Sequence, residues 1–148
     1  MGDWSKRSLF ICYSRRDSGV VKPILNLQPD ILEAAYIDLV DTLPGSDWKA
    51  EHEAAIRSAH RLILVWSQNS AKSSHVEREW KFALAHDTQI VPVFIDNTPL
   101  PPELSHINAI SLVDYVSQPQ YANSLARALF GLSSNTGGLV RCKSKWVN

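Results

Sequence analysis

Apolar positions along this chain fall in short runs, separated by polar stretches in which the remaining apolar residues keep a helical period. Residues 9–13, 61–66, 89–95 and 109–113 are apolar, rich in β-branched or aromatic side chains and bounded by polar turns, which predicts four strands. A fifth candidate, 34–38, also fits a helical period through Ile31, Leu32, Ala35, Leu39 and Val40, so the pattern alone leaves it open. Helices are predicted over 48–60, where Ala54, Ala55, Ile56 and Ala59 recur, over 74–86, and over 119–132, where Leu125, Ala128 and Leu129 share a face and Pro119 fits the first turn. Pro23 and Pro29 limit 14–33 to a short or broken helix. Strand and helix therefore alternate, as in an α/β fold whose parallel sheet is covered on both faces. Residues 133–148 open on Ser-Ser-Asn-Thr-Gly-Gly, which has no periodicity, and read as a C-terminal tail after a single domain at 1–132, either flexible or packed through Trp146.

The chain's 148 residues suit one domain, and 45% hydrophobic with 20% charged residues supplies an ordinary core. Formal charge is zero, so no global field draws in a polyanion such as duplex DNA. The stretch from Asp30 to Glu53 carries seven acids against Lys49 alone and disfavours phosphates locally. Cys12 and Cys142 form no disulfide framework and no four-ligand zinc set, which favours a reducing, cytoplasmic setting. The longest apolar runs, such as 62–66, are too short to span a bilayer, and no signal-peptide or myristoylation pattern opens the chain, so neither membrane nor nucleic acid is an expected partner.

In an open parallel sheet, ligands bind beyond the carboxyl ends of the strands where strand order reverses. Those ends carry Tyr13 and Ser14-Arg15-Arg16-Asp17 after the first strand, and Ser67-Gln68-Asn69-Ser70 after the third. No glycine-rich dinucleotide fingerprint or P-loop is present, and the acids of a phosphoacceptor receiver are missing. His52-Glu53 begins an H-E-x-x-H zinc motif, but Ile56 stands where its second histidine belongs, and His60, His86 and His106 lack ligand spacing, so no metal is expected. On helix 74–86, at about 100° per residue, Val76, Trp80, Ala83 and Leu84 form a core stripe while His75, Glu79 and Phe82 lie along one flank. Glu79 thus sits at the border of the buried face near a strand-end crevice, where partial desolvation suits a carboxylate to chemistry. An ordinary exposed glutamate gives the same pattern.

Three segments resemble the TIR domain family. Leu9-Phe10-Ile11-Cys12-Tyr13-Ser14-Arg15-Arg16-Asp17 is similar to its opening strand, with Cys12 in place of the usual serine. Asp38 through Leu43-Pro44-Gly45-Ser46-Asp47-Trp48 to Glu51, Ala55 and Ile56 resembles the loop after its second strand, and that spacing settles 34–38 as a strand. Ser73-Ser74-His75-Val76-Glu77-Arg78-Glu79 is similar to the S-x-W-V-x-x-E motif of bacterial TIR proteins, with Glu79 at the catalytic glutamate and His75 where an aromatic residue usually stands; Ile90-Val91-Pro92-Val93 follows as the family's fourth strand.

The resemblance implies a flavodoxin-like five-stranded parallel sheet of order 2-1-3-4-5 and an NAD+ glycohydrolase or ADP-ribosyl cyclase. Glu79 would be catalytic, and Tyr13, Ser14, Arg15, Arg16, Trp48 and His75 would bind substrate. NAD+ would be the substrate, with no further cofactor. Contacts between TIR domains would make the protein a homo-oligomer, and a cyclic or conjugated ADP-ribose product would signal to an effector in bacterial antiviral defence. Two other readings compete: a non-catalytic TIR–TIR interaction module in signalling, and a nucleoside deoxyribosyltransferase-like enzyme that uses a glutamate on a related fold.

Overall fold

The computed structural model describes residues 9–26, 35–37, 45 and 47–113. Five parallel strands, β1 (Leu9–Cys12), β2 (Ala35–Ile37), β3 (Arg61–Trp66), β4 (Gln89–Phe94) and β5 (Ile110–Ser111), form one sheet in the order β2-β1-β3-β4-β5. Helices α1 (Ser18–Asn26), α2 (Trp48–Ser58), α3 (Gln68–Ala71) and α4 (Ser74–Ala85) connect them, and 3-10 turns lie at Arg15–Asp17 and Pro102–Leu104. The predicted helix over 119–132 and the tail at 133–148 lie outside the described residues.

Alternation of side chains along each strand divides the core in two. Leu9, Ile11, Ile63, Val65, Val91 and Val93 face Val21 and Leu25 of α1. Phe10, Cys12, Leu62, Leu64, Trp66, Ile90 and Phe94 face the other way, against Ala55 and Ile56 of α2 and Val76, Trp80 and Ala83 of α4. The register sets Phe10 beside both Tyr36 and Leu62, and Cys12 beside Leu64. Both faces are apolar because both carry helices, which is why the strands read as continuous apolar runs. Pro92 is tolerated inside β4 because β5 begins only opposite Val93, leaving one side of Pro92 without a strand partner.

Pro23 does not break α1, which runs through it to Asn26. It removes the N–H that would bond to Gly19, and burial of Val21 and Leu25 against the sheet holds the helix in place. Each later helix opens on a capping side chain: Asp47 accepts from the Lys49 and Ala50 amides of α2, Ser67 from Ser70 of α3, and Ser73 from Val76 of α4. Gly45, ahead of α2, has φ +80°, a backbone conformation that side chains rarely adopt.

The expected core stripe of α4 needs one correction. Val76, Trp80 and Ala83 are buried, but Leu84 is 39% exposed and Glu79 only 2%. The buried arc, centred between Val76 and Ala83, leaves Leu84 about 90° away and Glu79 about 50° away. α2 packs over the Glu79 side of α4, so a carboxylate takes the interior place that the pattern assigned to a leucine.

Candidate functional site

Two helical ladders face each other. Trp48 and His52 stand one turn apart on α2, and His75 and Glu79 one turn apart on α4. The Trp48 and His75 rings meet at 4.8 Å between centroids, and one turn further His52 Nδ1 lies 2.6 Å from Glu79 Oε2. His75 Nε2 approaches the same oxygen at 3.2 Å. From the sheet below, the Cys12 thiol donates to Glu79 Oε1 at 3.1 Å. The His52 ring is buried and held edge-on by Phe10, Tyr36 and Trp48, so its position is fixed before any ligand arrives.

Burial opposes ionisation of Glu79, but the hydrogen bonds and charge of His52 and His75 outweigh it, and the carboxyl is held below its ordinary range. Glu79 is therefore a buried, ionised carboxylate with a donor on each oxygen. His52, His75 and Glu79 also bring one potential metal-ligand atom each to within 4.8 Å of one another.

A cleft of about 440 Å³ opens beside this cluster, where β1 and β3 end, and is lined by Tyr13, Ser14, Arg15, Arg16, Asn69, Lys72, Ser73, Ser74 and His75. Its position is the switch point expected for this strand order. Arg15 and Arg16 are both exposed, and both line the cleft. Asp17 braces the walls: buried itself, it accepts from Ser67 Oγ at 2.5 Å and Asn69 Nδ2 at 2.8 Å, joining the loop after β1 to the loop after β3. Tyr13 is only 1% exposed and packs into the core, so it forms floor rather than a free aromatic wall.

Trp48 does not line this cleft. It lines a shallower hollow of about 610 Å³ between α2 and α4, with Lys49, Glu53, Arg78, Lys81 and Phe82. His75 belongs to both, standing between them and covering Glu79, which does not itself reach the cleft wall. The structure thus gathers His75 with Tyr13, Ser14, Arg15 and Arg16, places Trp48 on the far side of His75, and sets Glu79 beneath it. His60, His86 and His106 are exposed.

Two residues of the cluster were not singled out as site residues from the sequence. His52 entered only through a local zinc motif, yet its contact with Glu79 spans 27 residues. The available signal was a polar residue one turn after Trp48 and three and four before Ala55 and Ile56, on the buried face of α2. Cys12 read as a mild departure in a buried strand, whereas its thiol reaches Glu79.

A family model described as TIR domain matches residues 9–129. Among solved structures, the chain is similar to the crystal structure of the TIR domain of the Toll-related receptor TRR-2 from Hydra magnipapillata. The two share 23% identity with a TM-score of 0.66, over 80% of this chain and 94% of that one. At this identity the likeness speaks for the fold. No curated protein sequence matches the chain.

Proposed function

The chain belongs to the TIR domain family, and on that premise we propose that it cleaves the nicotinamide–ribose bond of NAD+, as a glycohydrolase or ADP-ribosyl cyclase. The observation that carries this reading is Glu79: a buried carboxylate, held ionised by His52 and His75, in contact with the His75 ring that lines the cleft together with two arginines.

The chemistry needs little more. Nicotinamide is cationic in NAD+ and leaves neutral, so no general acid has to protonate it. One carboxylate then suffices, where most glycosidases use two. Glu79 stabilises the developing oxocarbenium ion or bonds to it briefly. Arg15 and Arg16 meet the pyrophosphate, for which guanidinium geometry is suited. His75 must turn aside to open Glu79 to the cleft; its side chain is 34% exposed, against 5% for His52 and 2% for Glu79. Water, an internal nucleophile or another base then decides between ADP-ribose, a cyclic product and a conjugate. The protein works in the cytoplasm, assembles through TIR–TIR contacts and hands its product to a separate effector, with antiviral defence the setting the resemblance suggests.

A second reading rests on the same carboxylate. Glu79 is satisfied by donors from α2, α4 and β1, so it also serves as a structural tie in a non-catalytic interaction module. Incubation of concentrated protein with NAD+, followed by chromatography and mass analysis, separates the two. Release of nicotinamide with ADP-ribose or its cyclic isomer supports the enzyme. Intact NAD+ at every protein concentration contradicts it and leaves the interaction module.

A further inference from the structure

We propose that His52, His75 and Glu79 bind a divalent transition-metal ion of the Zn2+ class, and that the bound ion withholds Glu79 from the cleft. The three ligand atoms lie within 4.8 Å of one another, and both ring nitrogens approach one oxygen, Nδ1 of His52 at 2.6 Å and Nε2 of His75 at 3.2 Å. A tetrahedral ion with bonds of about 2.0–2.1 Å places its ligand atoms about 3.4 Å apart. The cluster therefore needs only small ring and carboxylate movements to surround an ion.

The donor set selects the metal. Two imidazoles and a carboxylate suit zinc, cobalt, nickel and copper, whereas magnesium and calcium require oxygen ligands in greater number. The scaffold is rigid where it matters: two ligands project one turn apart from α4, and the third from α2 is fixed by Phe10, Tyr36 and Trp48. Cys12 holds the other oxygen of Glu79 and so fixes the plane of the carboxylate. His75 is 34% exposed and borders both hollows, which gives the ion a path in and a solvent-facing fourth position. Each ring ligates as a neutral imidazole through the nitrogen that faces Glu79, its hydrogen held on the other nitrogen, so the hydrogens that lie between the rings and the carboxylate are displaced as the ion binds.

The site itself does not depend on the proposed activity; only its inhibitory effect rests on that reading. Titration of untagged, metal-free full-length protein with Co2+ tests the site through the visible absorption bands of tetrahedral cobalt. A saturable one-to-one band, bleached by Zn2+, is expected. Binding should weaken at least about tenfold in His75→Ala, whose partly exposed ring is removable without unfolding, and likewise in Glu79→Gln. Circular dichroism checks that both variants are folded. Absence of a band in excess Co2+, or a band unchanged in both variants because the exposed His60, His86 and His106 hold the ion, would overturn the site. A parallel assay of nicotinamide release separates the claims. A band without NAD+ cleavage by the metal-free protein refutes the enzyme and leaves the site standing. Cleavage without a band refutes the site and leaves the enzyme. Cleavage undiminished at Zn2+ concentrations that bleach the band refutes the withholding of Glu79.

Discussion

Replacing His52 with alanine removes the donor closest to Glu79, 2.6 Å away, and strands a buried carboxylate. Removing one partner of a buried ion pair costs about 3–5 kcal/mol. Because His75 and Cys12 still reach Glu79, the lower end, about 3 kcal/mol, applies. The lost ring also leaves a void among Phe10, Tyr36 and Trp48, which adds about 1 kcal/mol. Together these lower Tm by roughly 10 °C in a domain of this size. The pH dependence identifies the ionic part. In the parent, the Glu79 carboxyl titrates below its ordinary range, so its stabilisation is present above that range and is lost as pH falls through the folded value. In His52→Ala, burial acts on Glu79 with less opposition, so protonation relieves the stranded charge. The gap in stability between parent and variant should therefore narrow as pH is lowered from about 7 to about 4. Urea unfolding followed by tryptophan fluorescence measures it. A gap that stays constant over this range, or a variant as stable as the parent, would refute the pairing of His52 with ionised Glu79.

Arg15→Ala and Arg16→Ala should each raise KM for NAD+ by roughly tenfold with kcat little changed, since a charged hydrogen bond is worth about 1.5–3 kcal/mol; steady-state kinetics giving an unchanged KM in the double variant would remove the pyrophosphate from this cleft. Cys12→Ser keeps a donor to Glu79 and should retain activity within a few-fold, whereas Cys12→Val strips it and should lower stability by about 1–3 kcal/mol in the same urea assay. Gly45→Ala should cost about 1 kcal/mol at φ +80° in thermal or urea unfolding, the cost of the backbone conformation, since among the described residues nothing lies within 4 Å of the added methyl.

Periodicity was enough to find β3 with both its ends, and the bodies of α2 and α4 to within one or two residues, because long apolar runs and helical stripes are local properties. The four-residue α3 and the Pro102–Leu104 turn escaped, being too short to show a period. β5 is two residues where five were expected, since apolar character over 109–113 marks burial as readily as pairing. Within the site, Glu79 and His75 were legible as one flank of a helix, and Tyr13 to Arg16 as a strand end. What the pattern could not show is which second helix covers that flank. His52 becomes part of the cluster only when α2 packs on α4, a contact that no local spacing encodes.

The most direct test of the account compares NAD+ turnover by the parent with that of Glu79→Gln, at matched concentrations of folded protein. Glutamine preserves shape and can accept from or donate to the two imidazoles, so the variant should keep its fold while losing at least about a hundredfold in kcat, the scale expected when stabilisation of the developing charge is removed. Turnover equal to the parent's would contradict a catalytic carboxylate at this position.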